Sequence, residues 1–171
     1  MAETLVKLPP ALRNRFLYLR NREAFAAVVL SILIPLDWIN RSSDIMWELR
    51  VPALFLFGVI LLEGTLYWHL KLRSLEERTP LPAGFSTLFT VFKWFNAGGI
   101  AVVLAATVWL RDDATSQDIG WTLILLAAAG LEQINYFYYQ LMYDTRAAFD
   151  YLRRNKRLRR AALGLDIERS K

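Results

Sequence analysis

Leu62-Glu63-Gly64-Thr65-Leu66-Tyr67-Trp68-His69-Leu70-Lys71-Leu72 reads as the end of a membrane helix with an acid written into it. The pattern returns 69 residues later as Leu131-Glu132-Gln133-Ile134-Asn135-Tyr136-Phe137-Tyr138-Tyr139-Gln140-Leu141. Leu, Glu, Tyr, an aromatic pair and a closing Leu all coincide. A carboxylate in hydrocarbon is costly and marks function by default, so an internally duplicated membrane protein with one acid per repeat is the first expectation.

Working outward, the chain has 171 residues, 55% of them apolar, with six Trp and several apolar blocks of membrane-spanning length. The composition predicts one all-α membrane domain, since a backbone without water must bond to itself in helices. Four spans follow from hydropathy: 24–39, about 51–72, about 85–110 and about 119–143. They group into two parallel-repeat helical hairpins, repeat one about 24–72 and repeat two about 85–143. Residues 1–23 form a basic N-terminal segment in which Leu12, Phe16 and Leu19 alternate helically with arginines, the pattern of an interfacial amphipathic helix. Residues 144–171 form a basic, helical C-terminal tail.

Orientation follows from the cations. Of 21 Lys and Arg, 17 fall before the first span, between the second and third (counting Lys71 at the very end of the second), or after the fourth, which places both termini in the cytoplasm of a multi-pass cell-membrane protein. Trp38, Trp47, Trp109 and Trp121 flank the opposite span ends as an aromatic belt. No cleavable signal peptide is expected. The absence of cysteine excludes disulfides, thiolate metal sites and cysteine nucleophiles.

At 1.5 Å per residue, Glu63 lies roughly 18 Å into its span and Glu132 roughly 16 Å beyond Trp121, both near mid-depth. Their helices run the same way, so the acids are expected to approach each other and titrate as a proton- or cation-binding pair. Glu132, Asn135, Tyr136, Tyr139 and Tyr143 form a helical stripe, and Tyr67 continues the shorter one below Glu63. Tyr67, Asn135, Tyr136 and Tyr139 are therefore expected to line the same cavity. Lys93 either pairs with an acid or snorkels to the interface. His69 is expected at an interface and Asp37 at a solvated helix end.

Ala97, Ala101 and Ala105, with Gly98 and Gly99, predict the packing face of span three. Arg153, Arg154, Lys156, Arg157, Arg159 and Arg160 form a cluster suited to anionic lipid headgroups or to a protein partner; charge alone does not indicate nucleic acid. No nucleophile elbow, zinc-protease motif or phosphate loop is present, so no catalytic residue, metal site or cofactor is expected. The leading expectation is a transporter or channel that assembles as a homo-oligomer. The contrasting one is a non-catalytic scaffold or regulatory subunit acting through its tail. An enzyme acting on lipid or quinone has only aromatic residues and two acids in its favour.

Overall fold

The computed structural model describes residues 8–41, 44–142 and 146–170, and among them every regular element is helical. In chain order these are α1 (Pro10–Arg41), α2 (Trp47–Glu77), α3 (Phe85–Trp109), α4 (Ser116–Phe137), α5 (Arg146–Asn155) and α6 (Ala162–Arg169). Three of them, α1, α2 and α3, are long and apolar enough to cross a membrane. The 22-residue α4, which carries Asp118, Glu132, Gln133 and Asn135, is not among the three.

Helix α2 is the central element: it packs against α1, α3 and α4, while α3 and α4 also touch each other and α6 wedges against both. Ala53, Leu56 and Ile60 of α2, Phe89 and Val103 of α3, and Leu125 and Ala129 of α4 form the dry interior. In lipid such burial gains little from water exclusion, so close fit and polar contacts must hold the helices together. Gly99 supplies one close fit, since a Cβ there would lie 2.9 Å from Leu56 Cδ1. Outward-facing Phe25, Val28, Ile32 and Leu33 on α1, with Val91, Phe95 and Val102 on α3, give the bundle an apolar exterior compatible with a membrane location.

Local chemistry explains where the helices begin and end. Thr115 caps α4 in a capping box: its hydroxyl accepts from the Asp118 N–H, and the Asp118 carboxylate accepts from the Thr115 N–H. Gly84 precedes α3 at φ 84°, a left-handed conformation that a Cβ disfavours. Helix α4 stops at Phe137 because the backbone finds better partners. Asn135 Oδ1 accepts from the Leu141 N–H at 2.9 Å, and residues 138–140 pair with 159–161 through Gln140 N to Arg159 O and Ala161 N to Tyr138 O. The expected fourth span to residue 143 is thus shorter by its last turns, and Tyr139 leaves the helical stripe. Tyr143 lies outside the described residues.

Two further expectations are corrected. The N-terminal segment is not a separate helix; α1 continues through residues 23 and 24 without a break and runs beside α2, with Arg13 paired to Glu76 at 2.7 Å and Phe16 against Trp68. The alanine stripe of α3 does not pack the bundle. Ala97, Ala101 and Ala105 face outward, and Phe85, Phe89, Asn96, Val103 and Thr107 form the buried face, because one polar and several bulky groups find partners there.

Candidate functional site

The polar residues inside the bundle fall at three levels along α2 and α4, which run in the same direction. At the Trp end, Arg50 and Asp118 form an ion pair, Nε to Oδ1, at 2.6 Å with both side chains almost wholly buried. Asp118 Oδ1 also accepts from the Met46 N–H, and the guanidinium lies over Trp38, 5.4 Å from the ring centre. Trp47 and Trp121 pack edge-on to Trp38 and seal the pair. Burial alone would raise the Asp118 pKa, but the Thr115 hydroxyl, two backbone N–H groups and Arg50 outweigh it and hold the carboxyl below the usual range.

Past an apolar layer of Leu56, Ile60, Leu125, Leu126 and Ala129 comes the first acid. Glu63 is 4% exposed. Its Oε2 accepts from Asn96 Nδ2 at 2.7 Å, and the same amide reaches Gln133 Oε1 at 3.2 Å. Gln133 in turn donates to the Lys93 carbonyl at 2.8 Å, so α2, α3 and α4 are stitched together at one depth. Among the described residues, Glu63 Oε1 and Asn96 Oδ1 find no hydrogen-bond partner and are buried. Both are acceptors, so the cluster has a deficit of donors, which a proton on the carboxyl or a small cation would meet.

The third level lies toward the tail end. Here a cavity of about 90 Å³ is lined by Arg22 and Glu23 of α1, Tyr67 of α2, Asn135 and Tyr136 of α4, and Leu163 of α6, among others. Glu23 is buried, with its carboxylate 3.6 Å from Arg22. Tyr136 is buried beside Glu23 with its hydroxyl against Gly64, where a Cβ would come within 2.2 Å of the oxygen. Tyr67 donates to Asp166 Oδ2 at 2.8 Å, and Lys71 reaches the same oxygen at 2.7 Å, which seats α6 under the bundle.

Of the residues picked out from sequence, Tyr67, Asn135 and Tyr136 do share one cavity. Glu63 and Glu132 are not joined by a hydrogen bond. Consecutive residues on a helix point about 100° apart, so Gln133 reaches Asn96 and Glu63 while half-buried Glu132 turns elsewhere, accepting from Asn135 at 3.1 Å. Lys93 pairs with neither acid; its ammonium sits over the Tyr138 ring at 4.2 Å. Tyr139 is exposed beside the paired strand-like segment, and His69 is exposed. Arg153, Arg154, Lys156, Arg157, Arg159 and Arg160 are all exposed, and Arg160 pairs with Glu168.

Sequence reasoning passed over Glu23, Arg50, Asp118 and Asp166, all of which are buried. Arg50 and Asp118 carried a readable signal, opposite charges at the matching ends of two co-directional helices, with Asp118 three residues after a capping Thr. Asp166 carried none. No protein family, curated protein or solved structure matches this chain.

Proposed function

We propose that this chain is a small multi-pass protein of the cell membrane that binds a proton or a small cation at Glu63 and serves as a transporter or channel. In this reading α4 is the fourth crossing, the tail end is cytoplasmic with both termini, and the two hairpins 24–72 and 85–143 are parallel repeats. Glu63, Asn96 and Gln133 form the inner binding cluster. Glu132, Asn135, Tyr136 and Glu23 border the approach from the cytoplasm, with Tyr67 holding its floor and Lys93 the nearest basic side chain on α3. Because the cavity at the tail end measures only about 90 Å³, conduction calls for several copies, and a homo-oligomer is part of the proposal.

One observation carries the reading: a carboxyl 4% exposed, held by a single amide and with its other oxygen unpartnered. An ion left in that state is expensive, whereas a protonated or cation-bound carboxyl is not. The test is Glu63→Gln in proteoliposomes. Gln keeps the shape and the Asn96 contact but cannot ionise, so the variant should insert and fold while losing proton or cation flux. Wild-type flux from Glu63→Gln would overturn the proposal.

A second reading, a non-catalytic scaffold or regulatory subunit, is favoured by the six exposed basic residues of the tail. It separates from the first by experiment. Neutralising those residues would then abolish recruitment of its partner, and Glu63→Gln would leave recruitment unchanged.

A further inference from the structure

The C-terminal segment carries chemistry that the acid cluster does not use. Helix α5 packs on the other helices far less than they pack on one another, and the basic run begins at its end. Lys156 turns the chain in the left-handed region at φ 49°, its N–H bonded to the Leu152 carbonyl. The chain then returns to pair residues 159–161 with 138–140 at the end of α4. That pairing fixes the basic turn beside the end of α4 instead of leaving it on a free tail. Between the turn, Tyr139 and α6 opens a groove of about 700 Å³, lined by Tyr139, Tyr151, Arg157, Leu158 and Leu165 together with Arg159 and Arg160.

We propose that this segment is a seat for anionic phospholipid headgroups of the cytoplasmic leaflet, with Arg153, Arg154, Lys156 and Arg157 supplying the charge and the tyrosine-lined groove taking the headgroup. The proposal rests on the reading that the tail end faces the cytoplasm. Three observations select a bilayer as the occupant. Arg153, Arg154, Lys156 and Arg157 are exposed and make no ion pair among the described residues, and Asp150 is the only acid between Phe149 and Arg160. Phe149 and Leu158 flank the run at 57% and 42% exposure, and cations framed by exposed apolar side chains are the mark of an interfacial segment. Finally, the short distance in sequence from the end of α4 keeps the whole group near the membrane surface. Guanidinium groups and phenolic hydroxyls both donate to phosphate oxygens, so the groove matches a phosphodiester in kind as well as in charge.

The test uses the full-length chain, whose lack of cysteine allows a single fluorophore at Asn155→Cys. Short-chain phosphatidylglycerol is titrated into the protein in neutral detergent, with phosphatidylcholine and inorganic phosphate as separate arms. The expected result is a saturable change with phosphatidylglycerol alone, weakened by added salt. Replacing Arg153, Arg154, Lys156 and Arg157 together with Gln should lower the apparent affinity at least about tenfold, while Arg→Lys at the three arginines should stay within about threefold. Glu63→Gln should bind lipid as wild type does, so failure here is distinct from failure of the transport reading. Equal responses to phosphatidylcholine, full competition by inorganic phosphate, or an unaffected Gln variant would each overturn the proposal. So would tighter binding of an RNA or an acidic peptide than of the lipid, or labelling of Asn155→Cys by an impermeant maleimide in intact cells.

Discussion

Asp118→Ala should be among the most damaging single changes outside the acid cluster. It removes one of the two acceptors in the capping box of α4, the carboxylate bonded to the Thr115 N–H, a loss of about 1 kcal/mol. It also leaves Arg50, fully buried under Trp38, without its counter-charge, and breaking a buried pair from one side costs about 3–5 kcal/mol. Asp118 is covered at 2% side-chain exposure but lies in the first turn of its helix, close to the loop, so the lower part of the range applies. The sum is about 4 kcal/mol. The assay is unfolding of the detergent-solubilised protein by increasing SDS fraction, followed by the fluorescence of Trp38, Trp47 and Trp121. The double variant Arg50→Met with Asp118→Ala should recover most of the loss, since an apolar pair in place of a buried ion pair is often neutral. An Asp118→Ala loss below about 1 kcal/mol, or a double variant worse than the single, would refute the clasp as described.

Four further outcomes are expected. Because the Asp118 carboxyl is held below its ordinary pKa, its share of stability is full above about pH 4. That share is lost only as pH falls through the lowered native value, so unfolding profiles of Asp118→Asn and wild type should differ by a constant from pH 5 to 8 and converge in acid. Gly64→Ala puts a Cβ within 2.2 Å of the Tyr136 hydroxyl and should cost about 1–3 kcal/mol in the same SDS assay. Asp166→Ala removes the acceptor shared by Tyr67 and Lys71 and should speed amide exchange across Ala162–Arg169 by an amount equivalent to about 1–3 kcal/mol, leaving α2 protected. In whole cells, Asp113→Cys should react with an impermeant maleimide and Asn155→Cys should react only after permeabilisation, as the positive-inside assignment requires.

The helical architecture was readable because it depends on long apolar runs, and those survive any choice of partner. The third helix, expected over 85–110, is found at Phe85–Trp109. What sequence could not supply was rotation about each axis. The Ala97, Ala101 and Ala105 stripe has the right spacing for packing, yet Asn96 decides which face turns inward because a buried amide needs Glu63 and Gln133 as partners. The same holds for the two acidic segments: the Leu-Glu-Tyr spacing led to an expectation that Glu132 would face Glu63, but Gln133 takes that side through the shared amide of Asn96. The tail was least legible. Helix α4 ends early because Asn135 and a stretch 20 residues downstream capture its last backbone groups, and no local propensity announces such a partner.

The apolar layer between the Arg50 clasp and Glu63 has an electrical meaning. Thirteen helical steps of α2 separate the two, roughly 20 Å, and beyond the buried hydroxyls of Thr107 and Thr122 near the clasp the interior is packed with Leu56, Ile60, Leu125, Leu126 and Ala129. On the proposed reading, a proton or cation would reach Glu63 from the tail end and leave the same way while this arrangement lasts. In a bilayer that journey ends partway through the transmembrane field, where a full crossing is worth about 2.3 kcal/mol per 100 mV for one charge. Occupation of Glu63 would then displace charge even if nothing were transported. A sudden acidification on the tail side of an oriented membrane should produce a brief capacitive current that decays to zero, and Glu63→Gln should abolish it.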